Sequence, residues 1–188
     1  LLMNTKEAKR SLRTQIRKLL AEIPTAQKIQ QSGQICNLLL TYLRPKNFRR
    51  IFAFWPMAFE PQIQPALHTL IKDNGIFLPA FSSNNSPEFR LWNGDESQLE
   101  KNSFGFLAPP EKTVLSWPEN DDILLVPGLA FTPDGSRLGQ GKGFYDQVLQ
   151  YTNSKMIFSL GICFREQIFD RLPIEDHDAK VNEIIWNL

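Results

Sequence analysis

The chain has almost no cysteine. Cys36 and Cys163 are the two in 188 residues and lie far apart, so a disulfide framework or a cysteine metal cluster is not available, and a reducing compartment is expected. Both read as buried packing residues. Excess charge is lacking too: 21 lysines and arginines against 20 aspartates and glutamates leave a formal +1. That is too little for the broad basic field of a non-specific nucleic-acid binder, and any positive patch must be local. No apolar run approaches the roughly 18 residues of a membrane span, and Leu1-Leu2-Met3-Asn4 is too soon followed by charge to be a secretion signal. No repeat, low-complexity block or linker divides the sequence. The expectation is one cytoplasmic domain over residues 1–188, a monomer with no membrane or nucleic-acid partner.

What is present centres on Asp122 to Tyr151. Ile123, Leu124, Leu125 and Val126 form a short, wholly apolar run closed by Pro127-Gly128, the pattern of a buried parallel strand. A long turn follows from Pro127 to Gly143, with five glycines, two prolines (Pro127 and Pro133), Arg137 and Lys142. Phe144 to Leu149 then has the spacing of an amphipathic helix. Strand, glycine-rich basic loop and helix together describe an anion site. Glycines admit an oxyanion to the backbone N–H groups, the helix N-terminus adds partial positive charge, and arginine and lysine supply the rest. Phosphate is the expected guest, yet neither common phosphate motif fits. A Walker A loop needs glycine where Ser136 stands and a hydroxyl where Gly143 stands, and Gly139, Gly141 and Gly143 are spaced G-x-G-x-G rather than G-x-G-x-x-G.

Upstream, Asn4 and Glu7 have the spacing of a capping box, and Ala8, Leu12, Ile16, Leu19 and Leu20 recur on one helical face as far as Pro24. The same helix carries Lys6, Lys9, Arg10, Arg13 and Arg17 as a cationic stripe, which by pattern alone reads as a solvated face. A second helix is expected from Thr25 to Leu43, with Ile29, Cys36, Leu39, Leu40 and Leu43 inward. Arg49 to Trp55 reads as a strand, Pro61 to Asp73 as a helix and Ile76 to Phe81 as a strand. Strand, helix, strand predicts a parallel, right-handed unit. Glu60 falls just past the first of these strands, where open α/β sheets set their ligand-contacting loops.

Phe89 to Trp92 is a further strand, and Phe104 to Pro110 an apolar stretch broken by glycine and proline that either lines a pocket for a flat ligand or packs irregularly. Met156 to Cys163 reads as a strand, Arg165 to Arg171 as a short helix and Glu183 to Trp186 as a last strand. Glu175, Asp176, His177 and Asp178 make an acidic turn without dense metal-ligand spacing. Alternating helices and strands predict an α/β single-domain sandwich with a largely parallel central sheet flanked by helices.

At RLGQGKGFYD, Arg137 to Asp146, the chain resembles the 5-formyltetrahydrofolate cyclo-ligase (methenyltetrahydrofolate synthetase) family. The likeness extends to AKRSLR (Ala8 to Arg13), the stretch holding Glu60, FRLW, VPGLAF (Val126 to Phe131), FREQIF and LPIEDHDAKVNE, in order over essentially the whole chain. The resemblance implies an ATP- and Mg²⁺-dependent enzyme that converts 5-formyltetrahydrofolate to 5,10-methenyltetrahydrofolate, ADP and phosphate. Phosphorylation of the formyl oxygen would make it a leaving group that N10 of the folate displaces. The resemblance further implies ATP contacts at Lys9, Arg10, Ser11, Leu12 and Arg13, and along Arg137, Leu138, Gly139, Gln140, Gly141, Lys142, Gly143, Phe144 and Tyr145. Arg137 and Lys142 would be the catalytic cations on the transferring phosphoryl. Folate would meet Arg13, Trp55, Glu60, Phe104, Gln140, Gly141, Lys142, Gly143 and Phe144, and magnesium would sit on Asp146 and Asp178. Ala108, Phe144 and Trp55 depart from the family's pattern by a lost polar side chain, a lost hydroxyl and added bulk. Two alternatives stay open: a non-catalytic nucleotide- or pterin-binding relative, and an ATP-dependent ligase for another substrate.

Overall fold

The computed structural model describes residues 4–175 and 178–187. Asn4 accepts the Glu7 N–H at 2.9 Å and starts α1 (Thr5–Glu22), a cap worth about 1 kcal/mol. Ile16, Leu20 and Ile23 set the inward face of this region. Leu19, expected inward beside Leu20, is instead 39% exposed, because the roughly 100° turn per residue carries it off that stripe.

In α2 (Thr25–Leu43) the buried face is Gln31, Ser32, Ile35, Cys36, Leu39 and Leu43. Ile29, also expected inward, is 67% exposed. Gln27 and Gln31 both donate to the Glu166 carboxylate, at 3.0 and 2.9 Å, and so turn the opposite side of the helix, with Ile29, to solvent.

Next come β1 (Arg50–Phe52), α3 (Gln64–Leu70), β2 (Gly75–Phe81) and β3 (Pro87–Trp92). β4 (Glu100–Lys101) and β5 (Leu107–Ala108) make a small ribbon beside the main sheet, and β6 (Leu115–Ser116) returns to it. After β7 (Ile123–Pro127), β8 (Ala130–Phe131) and β9 (Arg137–Leu138) form a second ribbon, followed by α4 (Phe144–Ser154), β10 (Phe158–Ile162) and β11 (Glu183–Ile185). Several elements are shorter than the sequence suggests. Met156, expected to open a strand, is a left-handed turn residue (φ 56°) behind α4. Arg165 to Arg171 yields a single 3₁₀ turn, Arg165–Gln167. Gln167 is tied to the Gly128 and Leu129 carbonyls at 2.8 and 3.1 Å, and the Phe169 N–H bonds the Phe131 carbonyl at 2.9 Å, so the chain is pulled straight.

The main sheet runs β11-β10-β7-β1-β2-β3-β6. The first five strands are mutually parallel, and β3 and β6 add antiparallel pairs at one edge. β7 is wholly apolar because both faces of the sheet are covered. Ile123 and Leu125 pack with residues of α1, α2 and α3, while Leu124 and Val126 join Phe52, Phe131 and Val148 on the α4 side. The chain builds outward from β1 to β2 and β3, then returns to β7, β10 and β11 on the other side. β1 and β7 are therefore neighbours whose connections leave in opposite directions, and open α/β sheets hold a crevice at the carboxyl ends of such a pair.

Candidate active site

That crevice is present. Phe54, Trp55 and Glu60 line it from the segment after β1, Phe81 from the end of β2, Pro127 from β7, and Arg137 and Gly139 to Asp146 from the glycine-rich loop and the start of α4. Phe106, from the turn between β4 and β5, closes another side.

One half is aromatic. The Phe144 ring meets Phe81, Phe89 and Phe106 edge-on at 5.2, 5.6 and 6.4 Å, and Trp55 packs edge-on against Trp92 at 5.2 Å. Such walls suit a flat ring. Glu60 lies buried here and accepts the Met57 N–H at 2.9 Å, and burial pushes its carboxyl up to about 7. The Tyr145 hydroxyl is buried without a hydrogen-bond partner among the described residues; burial, with Glu60 adding, holds the phenol well above its ordinary value.

Glu60 has a consequence for stability. Between its ordinary value of 4.5 and about 7, the folded protein keeps a proton that the unfolded chain gives up. Stability therefore falls as pH rises across that window, by on the order of 3 kcal/mol above it. Thermal midpoints at pH 5 and pH 8 check this. The wild-type protein is expected to lose stability relative to Glu60→Gln between those two pH values, and a constant difference would mean that Glu60 titrates as an ordinary glutamate.

The other half is cationic. Arg137 is buried on β9, where Nη1 donates to the Pro127 carbonyl at 3.3 Å and Nη2 pairs with Asp146, and Nε has no partner among the described residues. Burial lowers the Arg137 value, with Asp146 opposing. The stripe on α1 docks onto the glycine-rich loop: Arg13 Nε donates to the Gly139 carbonyl at 2.9 Å and Arg17 Nη2 to Gln140 Oε1 at 3.1 Å. Lys142 is exposed, and its ammonium donates to the Phe104 carbonyl. Gly143, at φ 76°, starts α4 without a side-chain cap, so the first N–H groups of the helix are left to another acceptor. Arg137 Nε, Gln140 Nε2 and the Tyr145 hydroxyl are all buried and unpartnered among the described residues. An unpaired buried donor costs about 1–3 kcal/mol, and three on residues lining one cleft fit a guest rich in acceptor oxygens.

Lys9 is the buried member of the stripe. Its ammonium holds Glu175 Oε2 at 2.6 Å and Asp178 Oδ2 and Oδ1 at 2.6 and 2.9 Å. Burial pulls Lys9 down, but its bonds to Asp178 and Glu175 outweigh that and raise it. Asp146 and Asp178 thus each sit on a buried cation. No group of three or more histidine, cysteine, aspartate or glutamate side chains gathers as a metal cage among the described residues. Two oxygen donors from the protein fit a magnesium ion that takes its remaining ligands from phosphates and water.

The structure brings together Trp55, Glu60, Arg137 and Gly139 to Asp146, with Arg13 behind the loop. Asp178 lies close enough to Arg137 to act on its charge. Other expected contacts lie elsewhere: Leu138 is in the core, Leu12 packs against it, Ser11 is half-buried and Arg10 stands in solvent. Phe104 stacks on Phe81 at 3.8 Å, and it is Phe106 that lines the cleft. Of the acidic turn, Asp176 and His177 lie outside the described residues. Glu175, not singled out as a functional residue in the sequence, is joined to Lys9 across 166 positions.

A doubly covered parallel sheet with a cleft at its switch point, aromatic on one side and ringed by cations and glycines on the other, defines an α/β enzyme for a substrate that is part flat ring and part anion. A model of the 5-formyltetrahydrofolate cyclo-ligase family matches residues 5–187, and the chain belongs to that family. It is 30% identical to the 5-formyltetrahydrofolate cyclo-ligase of Mus musculus over 190 residues, covering 95% of this chain and 93% of the mouse protein. The Haemophilus influenzae enzyme of the same name is 27% identical over 97% of this chain and 99% of its own length. The solved structure of Aquifex aeolicus 5,10-methenyltetrahydrofolate synthetase shares the fold with a TM-score of 0.81 at 24% identity, covering 95% of this chain and 89% of that one. Among the described residues, no helix is long and apolar enough to cross a membrane.

Proposed function

We propose that this protein converts 5-formyltetrahydrofolate to 5,10-methenyltetrahydrofolate, turning ATP into ADP and phosphate. The observation that carries the reading is the meeting of the two halves of the cleft at Gly143 and Phe144, which puts a ring slot and an anion cradle within one cavity. Phe106, Phe144 and Trp55 flank the pterin, and Glu60, once ionised, accepts from its N–H groups. The formyl oxygen is a poor leaving group. Transfer of the γ-phosphoryl to it forms the O–P bond and releases ADP; N10 then attacks the activated carbon, the C–O bond breaks with phosphate, and the N10 proton is lost.

Phosphoryl transfer depends on positioning and charge neutralisation more than on a general base. Arg137, fixed by Pro127 and Asp146, and Lys142, exposed and bonded to the Phe104 carbonyl, are the cations for the moving group. The amides of Gly139 to Gly143 and the start of α4 take the remaining phosphate oxygens. Asp146 and Asp178 would hold magnesium, which when bound withdraws charge from the phosphates. Arg13 orders the loop through the Gly139 carbonyl. Mixing the purified protein with MgATP and 5-formyltetrahydrofolate, and following methenyl absorbance beside ADP release, tests the reading. A folded protein that forms no product would refute it.

A further inference from the structure

We propose that Arg17, which stands outside the cleft, is a positioning residue that holds the Gln140 side-chain amide with its nitrogen, not its oxygen, toward a phosphate of the nucleotide. The inference rests on the nucleotide reading above and gives a role to the last cation of the α1 stripe. Arg13 and Arg17 are four residues apart on α1, hence on one side of it, and they grip successive residues of the glycine-rich loop. Arg13 Nε donates to the Gly139 carbonyl at 2.9 Å, and its guanidinium passes beside Gly141, where a Cβ would stand 3.5 Å from Cζ. Arg17 Nη2 reaches Gln140 twice, at the backbone carbonyl at 3.4 Å and at Oε1 at 3.1 Å, across 123 positions of sequence.

The contact at Oε1 decides which way the amide faces. A glutamine amide carries a donor and an acceptor on atoms of similar size, and half a turn about its last bond exchanges them. A guanidinium has donors alone, so the oxygen must face it. With Oε1 held by an exposed arginine, Nε2 is left on the inner side, buried and without a partner among the described residues. Gln140 lines the cleft between Gly139 and Gly141, next to Lys142 and away from the aromatic walls that Trp55 and Phe106 supply. An ionised phosphate oxygen only accepts hydrogen bonds and suits that N–H₂ group, whereas a flipped amide would set oxygen against oxygen. Arg17 thus serves the nucleotide through Gln140 without touching it.

Isothermal titration calorimetry of the full chain with ADP in excess Mg²⁺, for the wild type, Arg17→Ala, Gln140→Ala and the double variant, tests this without turnover. Each single variant is expected to bind MgADP about tenfold more weakly, an ordinary loss for one hydrogen bond to a charged oxygen. The double variant should match Gln140→Ala within about twofold, because once the amide is gone Arg17 has nothing to orient. If Arg17 acted through its charge, or through the Gln140 backbone carbonyl, its loss would weaken binding by the same factor in both backgrounds, and that result would overturn the proposal. Unchanged affinity in either single variant would overturn it as well. Titration with 5-formyltetrahydrofolate alone should give wild-type affinity throughout, and a comparable loss there would overturn the assignment to phosphate. Circular dichroism checks that each variant is folded, and Arg17→Met serves if the alanine variant is not. Failure of the wild-type protein to bind MgADP at all would instead overturn the nucleotide site itself.

Discussion

Lys142→Ala is expected to lower turnover by about 10²–10³-fold, the usual loss when one group that stabilises developing charge is removed. The fold should be untouched. Lys142 is exposed, and among the described residues its ammonium meets only the Phe104 carbonyl and the face of the Phe104 ring, 5.7 Å from the centroid. Exposed contacts of this kind are worth a fraction of a kcal/mol, so the thermal midpoint should stay within a few degrees of wild type. The division between kcat and KM carries the information. A cation that acts on the phosphoryl in transit lowers kcat and kcat/KM together, whereas one that only holds the ground-state nucleotide raises KM for ATP and spares kcat. Near-normal turnover in a folded Lys142→Ala protein would remove Lys142 from the mechanism and leave Arg137 as the sole cation assigned to the transfer.

The features of this site that lie within one stretch of chain were legible in the sequence. Ile123 to Val126 could be read as a doubly covered strand because four apolar residues in a row suit nothing exposed, and the loop after it as an anion cradle because alternating glycines between two cations suit little else. Glu60, placed by the sequence just beyond a strand end, lines the cleft. What escaped depends on contacts that local pattern does not carry. Lys9 reads as one cation in a solvated stripe, yet it is buried and meets Glu175 and Asp178, 166 and 169 positions on. Phe104 and Phe106 are indistinguishable by type; Gly105, at φ 89°, and the hydrogen bonds of Asn102 Oδ1 with the Phe104 and Phe106 N–H groups decide which ring turns into the cleft. Ile29 looks like a core residue, and the partner that rolls α2 away from it, Glu166, lies 137 positions on.

Gly139→Ala is the other substitution expected to cost about 10²-fold in kcat/KM, and it does so through a single methyl group. A Cβ at position 139 would stand 2.6 Å from Arg137 Nη1, 3.0 Å from Nη2 and 3.2 Å from Cζ. The guanidinium can yield only by leaving the Pro127 carbonyl or Asp146, the two partners that aim it into the cleft. Displacement by about 1 Å is enough to lose that factor in a reaction that depends on alignment. Gly139 needs no left-handed backbone, so any loss of stability comes from the buried guanidinium giving up a partner, about 1–3 kcal/mol for a donor left unpaired. Gly143→Ala makes the opposite case. Its added Cβ meets nothing within 4 Å, but φ is 76° at the residue that starts α4, so about 1–2 kcal/mol of stability is at stake while Arg137 stays in place. Measuring kcat/KM and thermal midpoint for both variants separates steric displacement of the cation from backbone strain in the loop. If Gly139→Ala kept full activity, a guanidinium pushed off its partners would still serve the reaction, and the fixed geometry of Arg137 would not be what the transfer requires.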